Sequence, residues 1–123
     1  MEKEQLEKLE KLEFSYNWNG KLGCNCFTTI RLSGRFEPGQ IVEIWQKKNQ
    51  SSDVFHGKAV VVDKKSLANI DAISNWVAML DSGYGADEFR NIMRRMYGAK
   101  VKNWTTQIVY YYLLKYIKED ASK

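Results

Sequence analysis

Several residue types are scarce in this chain, and each scarcity removes a class of explanation. It has one proline, one histidine and two cysteines in 123 residues. A closed zinc site takes four ligands, usually cysteine and histidine. Cys24, Cys26 and His56 are all that the chain offers, so no metal and no cofactor is expected. A nucleophilic pairing of Cys26 with His56 is formally available, but nothing in the sequence places the two together. The C-x-C spacing is also too tight for an easy intrachain bridge along an extended strand. Reduced thiols, and with them a cytoplasmic location, are expected. Long apolar runs are missing too. "AVVV" at 59–62 and "IVYYYLL" at 108–114 fall far short of the roughly 20 residues of a membrane helix. The opening "MEKEQLEKLEKLE" has no apolar core and is not expected to be a signal peptide.

What is present suits one domain with one apolar core: 44% hydrophobic residues and four tryptophans. The net charge of +4 is unevenly spread. Residues 1–13 hold five glutamates and three lysines, which leaves the remainder with 16 basic against 10 acidic side chains. A basic body of that kind admits a polyanion such as RNA as partner.

The hydrophobic period changes along the chain. Leu6, Leu9 and Leu12 form a narrow stripe, and Glu4–Lys8 and Glu7–Lys11 are favourable i,i+4 pairs. They predict a helical extension over residues 1–13. From Phe14 the period becomes two. Phe14, Tyr16 and Trp18 predict a strand that ends at the Asn19–Gly20 turn. Further strands are expected at Phe27–Leu32, at Ile41–Trp45, from about Phe55 to Val62, and at Gln107–Ile117, where a helix is the alternative reading. A polar loop separates the third and fourth over Lys47–Asp53. Two helices are expected between the last two strands. In the first, over 71–80, Ile73, Trp76, Val77 and Leu80 share one face. In the second, over Ala86–Tyr97, Phe89, Ile92, Met93 and Met96 do, with Gly85 as N-cap. The predicted class is α+β: a small five-stranded barrel whose openings the helices cover, occupying residues 14–118, with 119–123 as a disordered tail.

Two groups of residues stand out as sites. On the second helix Arg90, Arg94 and Arg95 lie opposite the apolar stripe. They are either a phosphate-contacting face for nucleic acid or a solvated surface. In the strand, Phe27, Thr29 and Arg31 share one face and Thr28, Ile30 and Leu32 the other. Ile30 and Leu32 should claim the barrel core. Thr29 and Arg31 would then point together into a cleft, where a hydroxyl and a guanidinium can read a carbonyl, a phosphate or a carboxylate. Asp81 is the anionic partner expected for Arg31.

The stretch "GKLGCNCFTTIRLSGRFEPGQIVEIW" resembles the opening of ASCH domains, a branch of the PUA-like superfamily. "GKAVVV", "DSGYGADEFRNIMRRMYG" and "IVYYYLLKYI" resemble the family's later segments in the same order, covering about residues 14–117. The resemblance implies a PUA-like barrel that binds RNA or a modified nucleoside in a cleft lined by Lys21, Thr29, Arg31, Asp81 and Tyr84. Tyr84 would stack on a base. Small single-domain members of the family are amidohydrolases that remove an acyl group from an acylated cytidine, using a lysine, a threonine and a glutamate. The threonine falls on Thr29. The lysine position falls on Cys26, so Lys21 of the preceding loop would have to supply the amine. The glutamate falls near "LDSGY", where Asp81 is the carboxylate. A protein-interaction module with incidental basic charge is the third expectation.

Overall fold

The structure, a computed structural model, describes residues 9–49 and 52–118. Five strands form one mixed sheet: β1 (Glu10–Phe14), β2 (Cys26–Arg31), β3 (Ile41–Asn49), β4 (Ser52–Leu67) and β5 (Val109–Tyr116). Their order across the sheet is β1-β3-β4-β5-β2. β1 lies parallel to β3 and every other neighbour pair is antiparallel. A bulge between Val61 and Asp63 bends the long β4. Two α-helices, α1 (Asn75–Ser82) and α2 (Ala86–Tyr97), sit between β4 and β5 in the chain.

The sheet curls. In a flat five-stranded sheet the two edge strands would stand about 19 Å apart. Here Phe14 of β1 and Phe27 of β2 meet edge to face, with ring centroids 5.9 Å apart. Among the described residues no backbone ladder joins β1 to β2, so the barrel-like curl is not closed by hydrogen bonds. One core fills the inside of the curl with Leu12, Phe14, Phe27, Val42, Ile44, Val61 and Leu114. A second lies between the sheet and the helices, and includes Ile30, Val109, Ile73, Phe89 and Met93.

Several expectations are corrected. Glu10–Phe14 is a strand, not the end of a helix, and residues 1–8 of that predicted helix lie outside the described residues. Leu12 and Phe14 are buried while Lys11 and Glu13 are not. Pairing with β3 and burial of alternate residues outweigh the helical propensity of a Leu/Glu/Lys sequence, because propensity is a weak preference beside tertiary contacts. The predicted strand over Phe14–Trp18 ends at its first residue, and Trp18 opens a 3₁₀ segment, Trp18–Gly23. The polar loop at 47–53 is mostly ladder, since Lys47 pairs with Asp53 and Asn49 with Ser52. The faces of β2 are exchanged: Phe27 belongs to the core inside the curl, and Ile30 packs under the helices. The predicted tail, 119–123, lies outside the described residues.

The helices divide the same way. α2 and β5 form where expected, with Phe89 and Met93 buried but Met96 40% exposed. α1 begins later than expected, at Asn75, behind a 3₁₀ turn at Ile70–Ala72. Ser74 caps it by accepting from the Val77 N–H. The predicted apolar face is turned outward: Trp76 is 79% and Leu80 61% exposed. Ala78, Asp81 and Ser82 are buried instead. No helix among the described residues is long and apolar enough to cross a membrane.

If β1 is an integral strand, Leu12→Ala should cost about 2–5 kcal/mol in denaturant unfolding, as truncation of a buried leucine does. A loss below about 0.5 kcal/mol would return residues 10–14 to a solvent-facing appendage.

Candidate functional site

Three of the four buried polar or charged residues among the described residues converge on one place. Lys21, Thr29 and Asp81 are 5%, 4% and 1% exposed, and three separate segments deliver them. Lys21 comes from the 3₁₀ segment. There Asn19 and Gly20 both take left-handed conformations, at φ 61° and 62°, which asparagine and glycine tolerate best. The Asn17 side chain accepts from the Leu22 N–H at 2.9 Å, and the Lys21 carbonyl accepts from the Cys24 N–H at 2.9 Å. These bonds hold a tight coil that turns Lys21 and Leu22 inward together. Asp81 stands in the last turn of α1. Gly83, at φ 85°, closes that helix by donating to the Met79 carbonyl. Ser82 donates to the Ala78 carbonyl and accepts from the Tyr84 N–H, which fixes the following loop.

Lys21 Nζ donates to Asp81 Oδ1 at 3.2 Å. The Thr28 hydroxyl donates to the same oxygen at 2.9 Å. On the other face of β2, Arg31 Nε donates to the Thr29 hydroxyl oxygen at 3.0 Å. Asp81 can meet Thr28 and also share a cavity with Thr29 because β2 is the edge of the sheet. The cations rest on aromatic rings. The Arg31 guanidinium lies 4.6 Å from the Phe14 ring centre, and Lys21 Nζ lies 5.4 Å from Phe14 and 6.0 Å from Trp18.

Burial drives the ionisation of the pair in opposite directions. Loss of water pushes the Asp81 carboxyl above its ordinary range, against the pull of the Lys21 ammonium and the Thr28 hydroxyl. It brings the Lys21 amine below its ordinary range, against the attraction of Asp81. Both shifts favour the uncharged forms, so the free-energy gap between the ion pair and a neutral amine–acid pair is narrowed. A lysine of this kind is suited to taking up and returning a proton, and the carboxyl to accepting or donating at a ligand's polar edge.

Lys21, Thr29, Arg31 and Asp81 line a cavity of about 70 Å³. That holds a few waters or the polar edge of a ligand, not a whole nucleoside. The cavity shares Glu13, Arg31 and Tyr97 with a groove of about 640 Å³ on one side. It shares Tyr16, Trp18 and Met96 with another of about 690 Å³ on the other side. It therefore lies between two larger grooves, with each of which it shares walls.

Of the predicted site residues, Lys21, Thr29, Arg31 and Asp81 are brought together. The expected Arg31–Asp81 pair does not form. Lys21 lies deeper and takes the carboxylate, and Arg31 turns to Thr29 and Phe14. Among the described residues no hydrogen bond joins the Lys21 amine to Thr29, and its donor contact is to Asp81. Tyr84 stands apart in the second groove, edge-on to Trp18. The three arginines of α2 separate. Arg90 donates to the carbonyls of Ile70 and Ile73 and to Asp87, and so ties α2 to the turn before α1. Arg94 bonds Asn91 on its own helix, and Arg95 lines the second groove. Cys24 and Cys26 are exposed and unbridged, and His56 meets Gln46 on the β3–β4 hairpin.

Sequence reasoning missed Thr28, assigned to the opposite face, and Trp18 and Tyr16, assigned to a strand. The Asn-Gly at 19–20 directly before Lys21 was the available signal that the chain coils there. No protein-family model matches the chain, and a search of the curated proteins finds no similar one.

Removing one partner of a buried ion pair strands the other. Asp81→Ala should therefore lower unfolding free energy by about 3–5 kcal/mol, and Lys21→Met with Asp81→Leu should recover most of it. A loss under about 1 kcal/mol for Asp81→Ala would mean that the pair is hydrated.

The pair also sets a pH dependence. A carboxyl raised above 3.8 keeps its proton in the folded protein after the unfolded chain has released it. Native stability is then lost as pH rises from about 3.8 through the folded value. The stability of the wild type relative to Asp81→Asn should fall as pH rises from about 3.8 through that folded value. A rise would show a carboxyl shifted the other way.

Proposed function

We propose that the cleft binds RNA or a nucleoside-containing ligand, in the manner of ASCH domains of the PUA-like type. The observation that carries this reading is the convergence of Lys21, Thr29, Arg31 and Asp81 from three separate segments on one small cavity. A nucleobase presents donors and acceptors along one flat edge. Asp81 offers an acceptor to that edge, and Lys21 and the Nη groups of Arg31 offer donors. Aromatic residues flank the cavity, as recognition of an unstacked base requires. The curled sheet supports the PUA-like barrel, with β1 rather than residues 14–18 as the fifth strand. Arg95 can contact phosphate from the groove, whereas Arg90 is committed to backbone carbonyls.

The opposed shifts of Lys21 and Asp81 favour a second reading, a small amidohydrolase acting on an acylated cytidine. In that reaction the Thr29 hydroxyl attacks the acyl carbon and its proton passes to a neutral Lys21, which has to turn from Asp81 toward Thr29 to take it. Lys21 returns the proton to the departing nitrogen as the C–N bond breaks. Water then hydrolyses the ester and releases the free acid.

Arg31→Gln tests the binding reading. Affinity for a nucleoside or short RNA should fall tenfold or more, with unfolding free energy changed by less than about 2 kcal/mol. Intact binding with a large loss of stability would make the strand scaffold and put the ligand elsewhere. Release of free acid from an acylated cytidine, abolished by Thr29→Val, would establish the hydrolase. Its absence in a protein that binds the nucleoside would leave a binding module.

A further inference from the structure

The second groove holds an arrangement that recognition of one buried base leaves unused. Tyr16 lies on Trp18 nearly parallel, with an interplanar angle of 13° and centroids 5.4 Å apart. Trp18 is itself braced edge-on by Phe89 and Tyr84. The stack is thus anchored in the helix layer at its inner end. At its outer end Tyr16 is 53% exposed. Met96, 40% exposed, and Arg95 complete the wall. A braced, exposed ring beside an arginine is what base stacking on a protein uses.

A larger groove adjoins the cavity on each side, and these two arms of the cleft differ in chemistry. The arm beyond Arg31 is lined by four cations, Lys11, Arg31, Arg35 and Lys100, against two carboxylates, Glu10 and Glu13. Glu10 is already engaged by Arg35 at 3.3 Å. The arm beyond Trp18 is aromatic and carries Arg95. A free nucleoside with its edge in a 70 Å³ cavity would leave most of both arms empty. A strand with phosphates along one arm and bases in the other would fill them.

We infer that the ligand is a single-stranded polynucleotide that runs along the cleft, with the base next to the buried one stacked on the exposed face of Tyr16. The inference rests on the reading that the cavity takes a base edge, and it adds the polymer and a second subsite. The experiment compares an eight-nucleotide single strand, as RNA and as DNA of one sequence, with cytidine alone. Each is titrated into wild type, Tyr16→Ala, Arg95→Gln and Arg31→Gln. The wild type should bind at least one octamer far more tightly than cytidine, and the tighter of the two identifies the sugar. Tyr16→Ala should weaken the octamer about tenfold or more, as loss of a stacked base does, and cytidine much less. Arg95→Gln should flatten the salt dependence for the octamer. Arg31→Gln should weaken both ligands. Equal octamer affinity in wild type and Tyr16→Ala, with Arg31→Gln still impaired, would overturn the strand path and leave the cavity reading intact. Failure of the wild type to bind any of the three would overturn both.

Discussion

The structure is organised around one costly contact, the buried ion pair of Lys21 and Asp81. Ammonium and carboxylate groups resist leaving water by several kcal/mol each, so the surroundings must compensate. They do so from every side. Thr28 donates to the carboxylate, Phe14 and Trp18 face the ammonium, and burial moves both groups toward neutrality. Local features that propensity does not explain accompany the contact. The 3₁₀ segment coils so that Lys21 points inward, and α1 turns its polar side to the protein and leaves Trp76 in water.

An ion pair of this kind is a poor choice for stability alone, since well-packed apolar residues of similar volume commonly do as well or better. Its position explains it better. It sits at a small cavity between two grooves that carry aromatic rings and arginines. On the reading proposed above, a ligand's polar edge would meet the pair there. Arg31 has the same logic. One of its nitrogens is held by Thr29 and its plane rests on Phe14, so the guanidinium is oriented before any ligand arrives.

Much of this could be read from the chain. β2, β3, α2 and β5 carry strong periodicity and clear punctuation, and they form where the pattern puts them. The alternation of β2 put Thr29 and Arg31 on one face, and Lys21 and Asp81 were expected beside them, but who pairs with whom was not legible. That depends on depth, which spacing does not encode: Lys21 lies beneath Arg31 and reaches the carboxylate first. β1 was illegible because its residues favour a helix and only pairing with β3 makes them a strand. The orientation of α1 was illegible because an apolar face normally turns inward. Here the need to bury Asp81 against Lys21 goes with the opposite rotation.

The most direct test is a backbone amide NMR titration of the protein with cytidine. Binding at the ion pair predicts that the largest shift changes cluster at Lys21, Thr29, Arg31 and Asp81, with the exposed Trp76 face of α1 silent. Changes centred on α1, or spread evenly over basic surface residues while those four stay fixed, would contradict the account.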